Sequence, residues 1–346
     1  MQLTDEAVRA VRLRAQLLAA PVATVAAVVA RVPVQAQATP AARLAVRVRS
    51  AGLTRAEVDA ARADGSVVRT WAMRGTLHLL AAADVRWTVG LLGPRFARAG
   101  RGRRYQLGLD DEVSERGLAA LATVLADGPL SRDAIVERLA RHGFPLDGRS
   151  QAPAHLLAFA AHRGLVCCGP EETYTLLDDW VPPSPVPDDP LAELARRYLA
   201  GHGVAGPEDL AAWSGLPVGT ARRAFDAIRA ELRPAGSGFA LAGTDLGPDR
   251  EGPARLLGAF DAYLLGYRAR DVDPAHAQRI NTGGGMIAPT VLVAGSAVGT
   301  WRLERGTATV EPFGALSAGA VAGLEAEAAD LGRFLGEPVR LAVARG

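Results

Sequence analysis

With 346 residues, 49% of them hydrophobic and 22% charged, the chain can fill real cores and is not disordered. No apolar run is long enough to cross a bilayer and the charged N-terminus lacks a signal-peptide core, so a cytoplasmic protein with no membrane partner is expected. The two cysteines, Cys167 and Cys168, are adjacent, which excludes a disulfide framework and zinc-ligand spacing; with no lysine among 39 basic residues, only the N-terminal amine could form an imine.

The net charge of +2 conceals a split. Residues 1–110 carry 17 arginines against seven acids, a balance of +10, and the remainder carries 22 against 30, a balance of −8. Such segregation fits an N-terminal part that meets a polyanion, and equally an uneven surface with no partner.

In chain order, residues 1–110 form a first expected domain. Helices are predicted near 6–18, 22–29, 42–49 and 54–63, from apolar positions at helical spacing. Between the second and third lies Gln35-Ala36-Gln37, flanked by Pro33 and Pro40, which keep it out of a helix. Residues 67–71 and 75–80 read as paired strands, and 94–108 as a basic, glycine-containing connector that is mobile when free.

Residues 111–181 are the clearest repeat. Val113, Leu118, Leu121 and Leu125 mark one helix, Ile135 and Leu139 a second, and Leu156, Leu157 and Phe159 a third. A hairpin at 165–177 turning on Gly169-Pro170 follows. Three helices and a hairpin make a winged helix, whose third helix can enter a groove. After a proline-rich linker at 181–187, residues 188–245 repeat this order in a shorter form. In residues 253–346 strands are expected at 255–265, 291–294, 297–303 and 307–310, with a turn at Gly283-Gly284-Gly285 and a last helix near 318–335. The fold class is therefore mainly α with β wings (α+β): tandem winged-helix (helix-turn-helix) units followed by a small β-rich C-terminal domain.

Chemistry is sparsely signposted. There is no Walker A lysine, nucleophile elbow or metal-ligand cluster, and neither metal nor cofactor is expected. His78, in an apolar strand, is more often a hydrogen-bonded structural residue than a catalyst, and Asp261 beside Phe260 and Tyr263 favours a structural role. Polar residues in a loop, such as Gln35 and Gln37, are usually just solvated.

Four segments change that weighting: Gln35-Ala36-Gln37 before Thr39-Pro40, the run from Arg69-Thr70-Trp71 to Thr76-Leu77-His78, Phe260-Asp261-Ala262-Tyr263-Leu264-Leu265-Gly266, and Gly299-Thr300-Trp301-Arg302. In this order they resemble the winged-helix DNA glycosylases typified by AlkZ and YcaQ, which remove alkylated bases. The resemblance implies three winged-helix units with a terminal β domain, and Gln35 and Gln37 as catalytic amides holding the water that attacks the sugar's anomeric carbon. It also implies self-resistance to a DNA-alkylating natural product, which the Ala-, Arg- and Gly-rich composition of an actinobacterial producer would suit. The expected partner is double-stranded DNA carrying alkylated guanine, met by a monomer. Expected DNA contacts are Arg69, Arg74, Thr76, His78, Arg101, Arg103 and Arg104, with Asp261 and Tyr263 as site support. Two other readings stay open: a non-enzymatic winged-helix DNA binder or transcriptional regulator, and a protein-interaction scaffold that does not use DNA.

Overall fold

Helix starts follow capping chemistry. Thr4, Thr24, Asp110, Ser131 and Ser317 each accept a side-chain hydrogen bond from the N–H three residues on, opening helices Asp5–Ala15, Val25–Arg31, Asp111–Leu125, Arg132–Arg141 and Ala318–Leu335. The structure, a computed structural model, describes residues 3–247 and 252–344. The N-terminal amine of Met1 and the outermost ends of the first and last expected domains lie outside the described residues. The fold is α+β and divides into two compact units: one of described residues up to Asp59 with 192–213 and those from 217 onward, the other of 60–191 with 214–216.

The first unit is built on a five-stranded sheet, in the order Ala254–Leu257, Thr290–Val293, Ser296–Glu304, Thr307–Pro312, Arg340–Val343. Neighbours are antiparallel except the last pair, which is parallel. Helix Ala318–Leu335 lays Leu324 and Leu331 on Leu256, Val291, Trp301 and Val310. A second core joins Leu13, Leu18 and Val48, from the first helix and the segments that follow the helices ending at Ala15 and Arg47, to Leu257, Tyr263, Leu264 and Leu292. This unit also holds helix Pro207–Ser214 as far as Trp213, helix Val218–Ala227 and the hairpin of Leu232–Ala235 with Gly238–Leu241.

The strand expected at 255–265 ends at Leu257. Phe260 turns the chain at φ 57°, and Asp261 caps a short helix, Ala262–Leu265, by accepting from the Tyr263 N–H. An apolar run alone does not separate strand from buried helix, and here the aspartate cap decided.

In the second unit, strands Leu77–Ala81, Val67–Trp71, Val166–Cys168 and Tyr174–Leu176 form one sheet in that order, drawing on both the first and the second expected domains. Cys167 and Cys168 sit there as buried free thiols, which burial pushes up to about 12 and about 11. The 94–108 stretch is not a loose connector: it completes helix Ala82–Ala99 and forms helix Arg101–Gln106. Arg104 locks that corner, its guanidinium 3.9 Å over the Phe159 ring and donating to the Ala97 carbonyl at 2.8 Å.

The third helix of the middle repeat, Ala152–His162, buries seven of its eleven residues. Helix Ala82–Ala99 crosses it at Gly93, where an added Cβ would lie 2.0 Å from the His162 carbonyl oxygen. Both atoms at that crossing belong to backbone, so neither side can yield cheaply. Gly93→Ala should therefore destabilise the protein by about 3 kcal/mol, the upper end of ordinary overpacking, read as a lower urea midpoint at unchanged slope.

Candidate active site

The glutamine motif occupies a short extended link between two helices. Val32 leaves helix Val25–Arg31 in extended conformation, Val34–Gln35 is a strand, and helix Thr39–Arg47 opens with Pro40 in its first turn. Extended backbone puts residues i and i+2 on one face. Val34 and Ala36, each 1% exposed, pin one face inward, while Gln35 is also buried, at 9%, and Gln37 is exposed. The Gln35 Nε2 donates to the Gln37 Oε1 at 2.7 Å. That bond orients both amides, and the accepting oxygen has a second lone pair to offer. At the N-terminus of helix Thr39–Arg47 the N-cap residue is Ala38, whose side chain makes no cap.

Below the motif that helix is held by two arginines with no exposed side-chain surface. The Arg47 Nη2 donates to Glu327 at 2.9 Å and to the Leu256 carbonyl at 3.0 Å, and its Nη1 donates to Asp330 at 3.0 Å. Arg49 forms a bidentate pair with Asp261 at 2.7 and 2.8 Å and donates to Gln16 Oε1 and the Ala45 carbonyl, both at 2.9 Å. Asp261 is thus enclosed, and the Tyr263 hydroxyl donates to the Gly295 carbonyl at 2.9 Å. Arg47, Arg49 and Gln16 went unnoticed in the sequence. Their signal was an arginine between Val46 and Val48 and another beside Val48, cations on an apolar stretch that must find buried partners.

The residues expected to meet DNA lie in the second unit and differ sharply in access. Arg69 is buried and paired with Glu172. Arg74 is partly exposed, in the turn before Gly75 at φ 55°, and the Thr76 hydroxyl donates to the Met73 carbonyl at 3.1 Å. His78 is buried, with Nδ1 2.9 Å from the Thr76 carbonyl; a carbonyl only accepts, so Nδ1 carries the hydrogen. Arg101 is exposed but clasped by Asp111, its Nε 3.0 Å from both carboxylate oxygens. Arg103 is exposed and donates to two neutral amides, Gln106 at 3.0 Å and Gln151 at 2.9 Å. Arg104 is a correction: its buried guanidinium, stacked on Phe159, cannot reach a phosphate. Among the described residues no helix is long and apolar enough to cross a membrane.

Comparison with known proteins gives this geometry a setting. A family model described as DNA glycosylase AlkZ-like matches residues 28–334, which include both glutamines and the Asp261 segment. An interstrand DNA cross-link repair glycosylase of Streptomyces sahachiroi is 31% identical, with 89% of this chain and 90% of that one covered. The solved structure of the Streptomyces sahachiroi DNA glycosylase AlkZ superposes with a TM-score of 0.85 at 27% identity, covering 99% of this chain and all of the other. Fold and sequence alike place the protein in the class of DNA-repair glycosylases. The chain belongs to the AlkZ-like DNA glycosylase family.

Burial pushes the His78 imidazole down to about 3, Arg74's charge adds to this, and the hydrogen bond to Thr76 opposes it. An unfolded histidine takes up its proton near pH 6.5. Between those values the unfolded state binds a proton that the native state refuses, so stability falls as pH falls through the window. Burial likewise takes His162 down to about 4. His78 alone should cost about 2 kcal/mol at pH 5 relative to neutral pH. Urea midpoints at pH 7 and pH 5 should differ less in a His78→Asn variant than in the wild type.

Proposed function

We propose that this protein is a monofunctional glycosylase that hydrolyses the N-glycosidic bond of bulky, cationic N7-alkylguanine adducts in duplex DNA, leaving an abasic site. The observation that carries this is the hydrogen bond from buried Gln35 to exposed Gln37, which fixes two neutral amides just before a helix start, the outer one at the surface. An amide is a poor base, so the substrate must bring its own activation. N7 alkylation makes the base cationic; the glycosidic electron pair leaves with the base and neutralises it. The Gln37 oxygen then holds the attacking water by its second lone pair and turns a carbonyl dipole toward the oxocarbenium ion. The water's proton passes to solvent. Undamaged bases lack this activation, and that supplies selectivity.

The relative's name concerns cross-link repair, and an amide pair whose outer member, Gln37, is exposed suits bulky adducts, interstrand crosslinks included, better than an enclosed pocket would. In this reading the protein confers self-resistance on the producer of a DNA-alkylating compound. The helix-and-hairpin repeats act as tandem winged helices, the middle one as scaffold, since its third helix is covered. The protein works as a monomer, and with no lysine to form an imine it does not nick the abasic strand.

Gln35→Ala and Gln37→Ala should each lower base release from an N7-methylguanine duplex by about 10²–10³-fold, with folding and duplex affinity nearly unchanged. Gln37→Asp should keep measurable activity. Wild-type rates in both alanine variants would remove the pair from the site, and a species trapped by borohydride would contradict the lysine-free mechanism.

Phosphate binding should depend on arginines that no carboxylate already holds. Arg103→Glu should therefore weaken duplex affinity for all sequences and lower the salt slope, and Arg101→Glu should do so less because Asp111 already neutralises it. Equal effects from the two in a salt titration would count against this assignment.

A further inference from the structure

Segment 256–261 touches helix Thr39–Arg47 at three heights. At the middle, Gly258 lies so close that an added Cβ would stand 3.1 Å from both the Ala41 carbonyl oxygen and the Leu44 Cβ. Near the end, the Leu256 carbonyl accepts from Arg47 at 3.0 Å. Just beyond the end, Asp261 takes both arms of Arg49 at 2.7 and 2.8 Å. Arg49 also donates back to the Ala45 carbonyl within that helix and to Gln16, so its planar fork joins three parts of the chain in one geometry.

From this clamp we infer that Arg49 and Asp261 are positioning residues for the glutamine pair, acting through helix Thr39–Arg47, with Gly258 setting the depth at which that helix lies. The inference rests on the proposed catalytic reading of Gln35 and Gln37 and adds how their placement is secured. The helix has nine residues, about 13 Å of rigid rod, and Gln37 precedes it by two residues. A shift of its far end or its depth therefore moves the Gln37 backbone and with it the 2.7 Å amide contact. Displacements near 1 Å cost a positioned reaction about 10²-fold.

The test uses the full chain with two variants that perturb the clamp differently. Arg49→Lys keeps the charge but loses the fork. Gly258→Ala leaves every ion pair in place and presses on the helix alone. Two readouts are taken: single-turnover base release and duplex affinity on an N7-methylguanine duplex, and the side-chain amide resonances of Gln35 and Gln37 in protein labelled with ¹⁵N-glutamine. Both variants are expected to slow the chemical step tenfold or more, to leave duplex affinity within twofold, and to move the Gln35 amide signal toward that of a solvent-exposed glutamine. In a Gln37→Ala background, Gly258→Ala should change the rate less than twofold. A Gly258→Ala protein with lowered stability but wild-type amide signals overturns the inference and leaves the glycosylase reading standing. Displaced amide signals with an unchanged rate, or with no base release even from wild type, uphold the positioning and sink the catalytic reading of the pair.

Discussion

Two guanidinium groups taken wholly out of water set the terms on which the larger unit folds. Desolvating such an ion costs several kcal/mol, and the cost is offset only where geometry is good and nearly every donor is matched. Arg47 and Arg49 meet that condition with carboxylates more than 200 positions away in sequence, Glu327, Asp330 and Asp261. Glu327 also takes Arg255 at 3.1 Å and the Leu256 N–H at 3.0 Å, so one carboxylate ties the last long helix, the first strand of the sheet and the helix after the glutamines. Each arginine still leaves its Nε buried without a partner. Apolar side chains of similar size could fill the space with less strain on hydration. What the ion pairs supply is direction, because a guanidinium fork admits one orientation of its carboxylate where a methyl group would admit many.

The second unit is organised by a different constraint, the close passage of two backbones. Because Gly93 has no side chain, helices Ala82–Ala99 and Ala152–His162 meet carbonyl against Cα, and the helix that would otherwise face solvent becomes core. The hairpin beyond it turns on Pro170–Glu172, with Glu171 and Glu172 at φ 51° and 58°, and Glu172 holds both Arg62 and Arg69.

Much of the helical framework was legible because caps and apolar spacing are local. Ser131 with Ile135 and Leu139 announces a helix wherever the chain later packs it. The glutamine motif was legible too, but through resemblance: nothing in the residue types distinguishes Gln35 and Gln37 from any polar loop, and their mutual hydrogen bond depends on Val34 and Ala36 both turning inward. The failures share a cause. The 94–108 stretch looked like a loose basic segment, but its helix depends on Arg104 finding Phe159, more than 50 residues on. The run 255–265 looked like one strand because an apolar stretch fits either state, and the break comes from Asp261, whose carboxylate also answers to Arg49. Where the deciding partner is remote in sequence, local pattern cannot contain it.

The two thiols in the second sheet bear on the setting in which such a protein works. Electrophiles that alkylate DNA also react with amines and thiolates, and the thiolate, not the thiol, is the reactive form. With no lysine in the chain, and with Cys167 and Cys168 held near 12 and 11, the ionised fraction of either cysteine at neutral pH is about one in 10⁴ or less. Both cysteines are also buried. The folded protein thus offers an electrophile neither a lysine amine nor an ionised thiol.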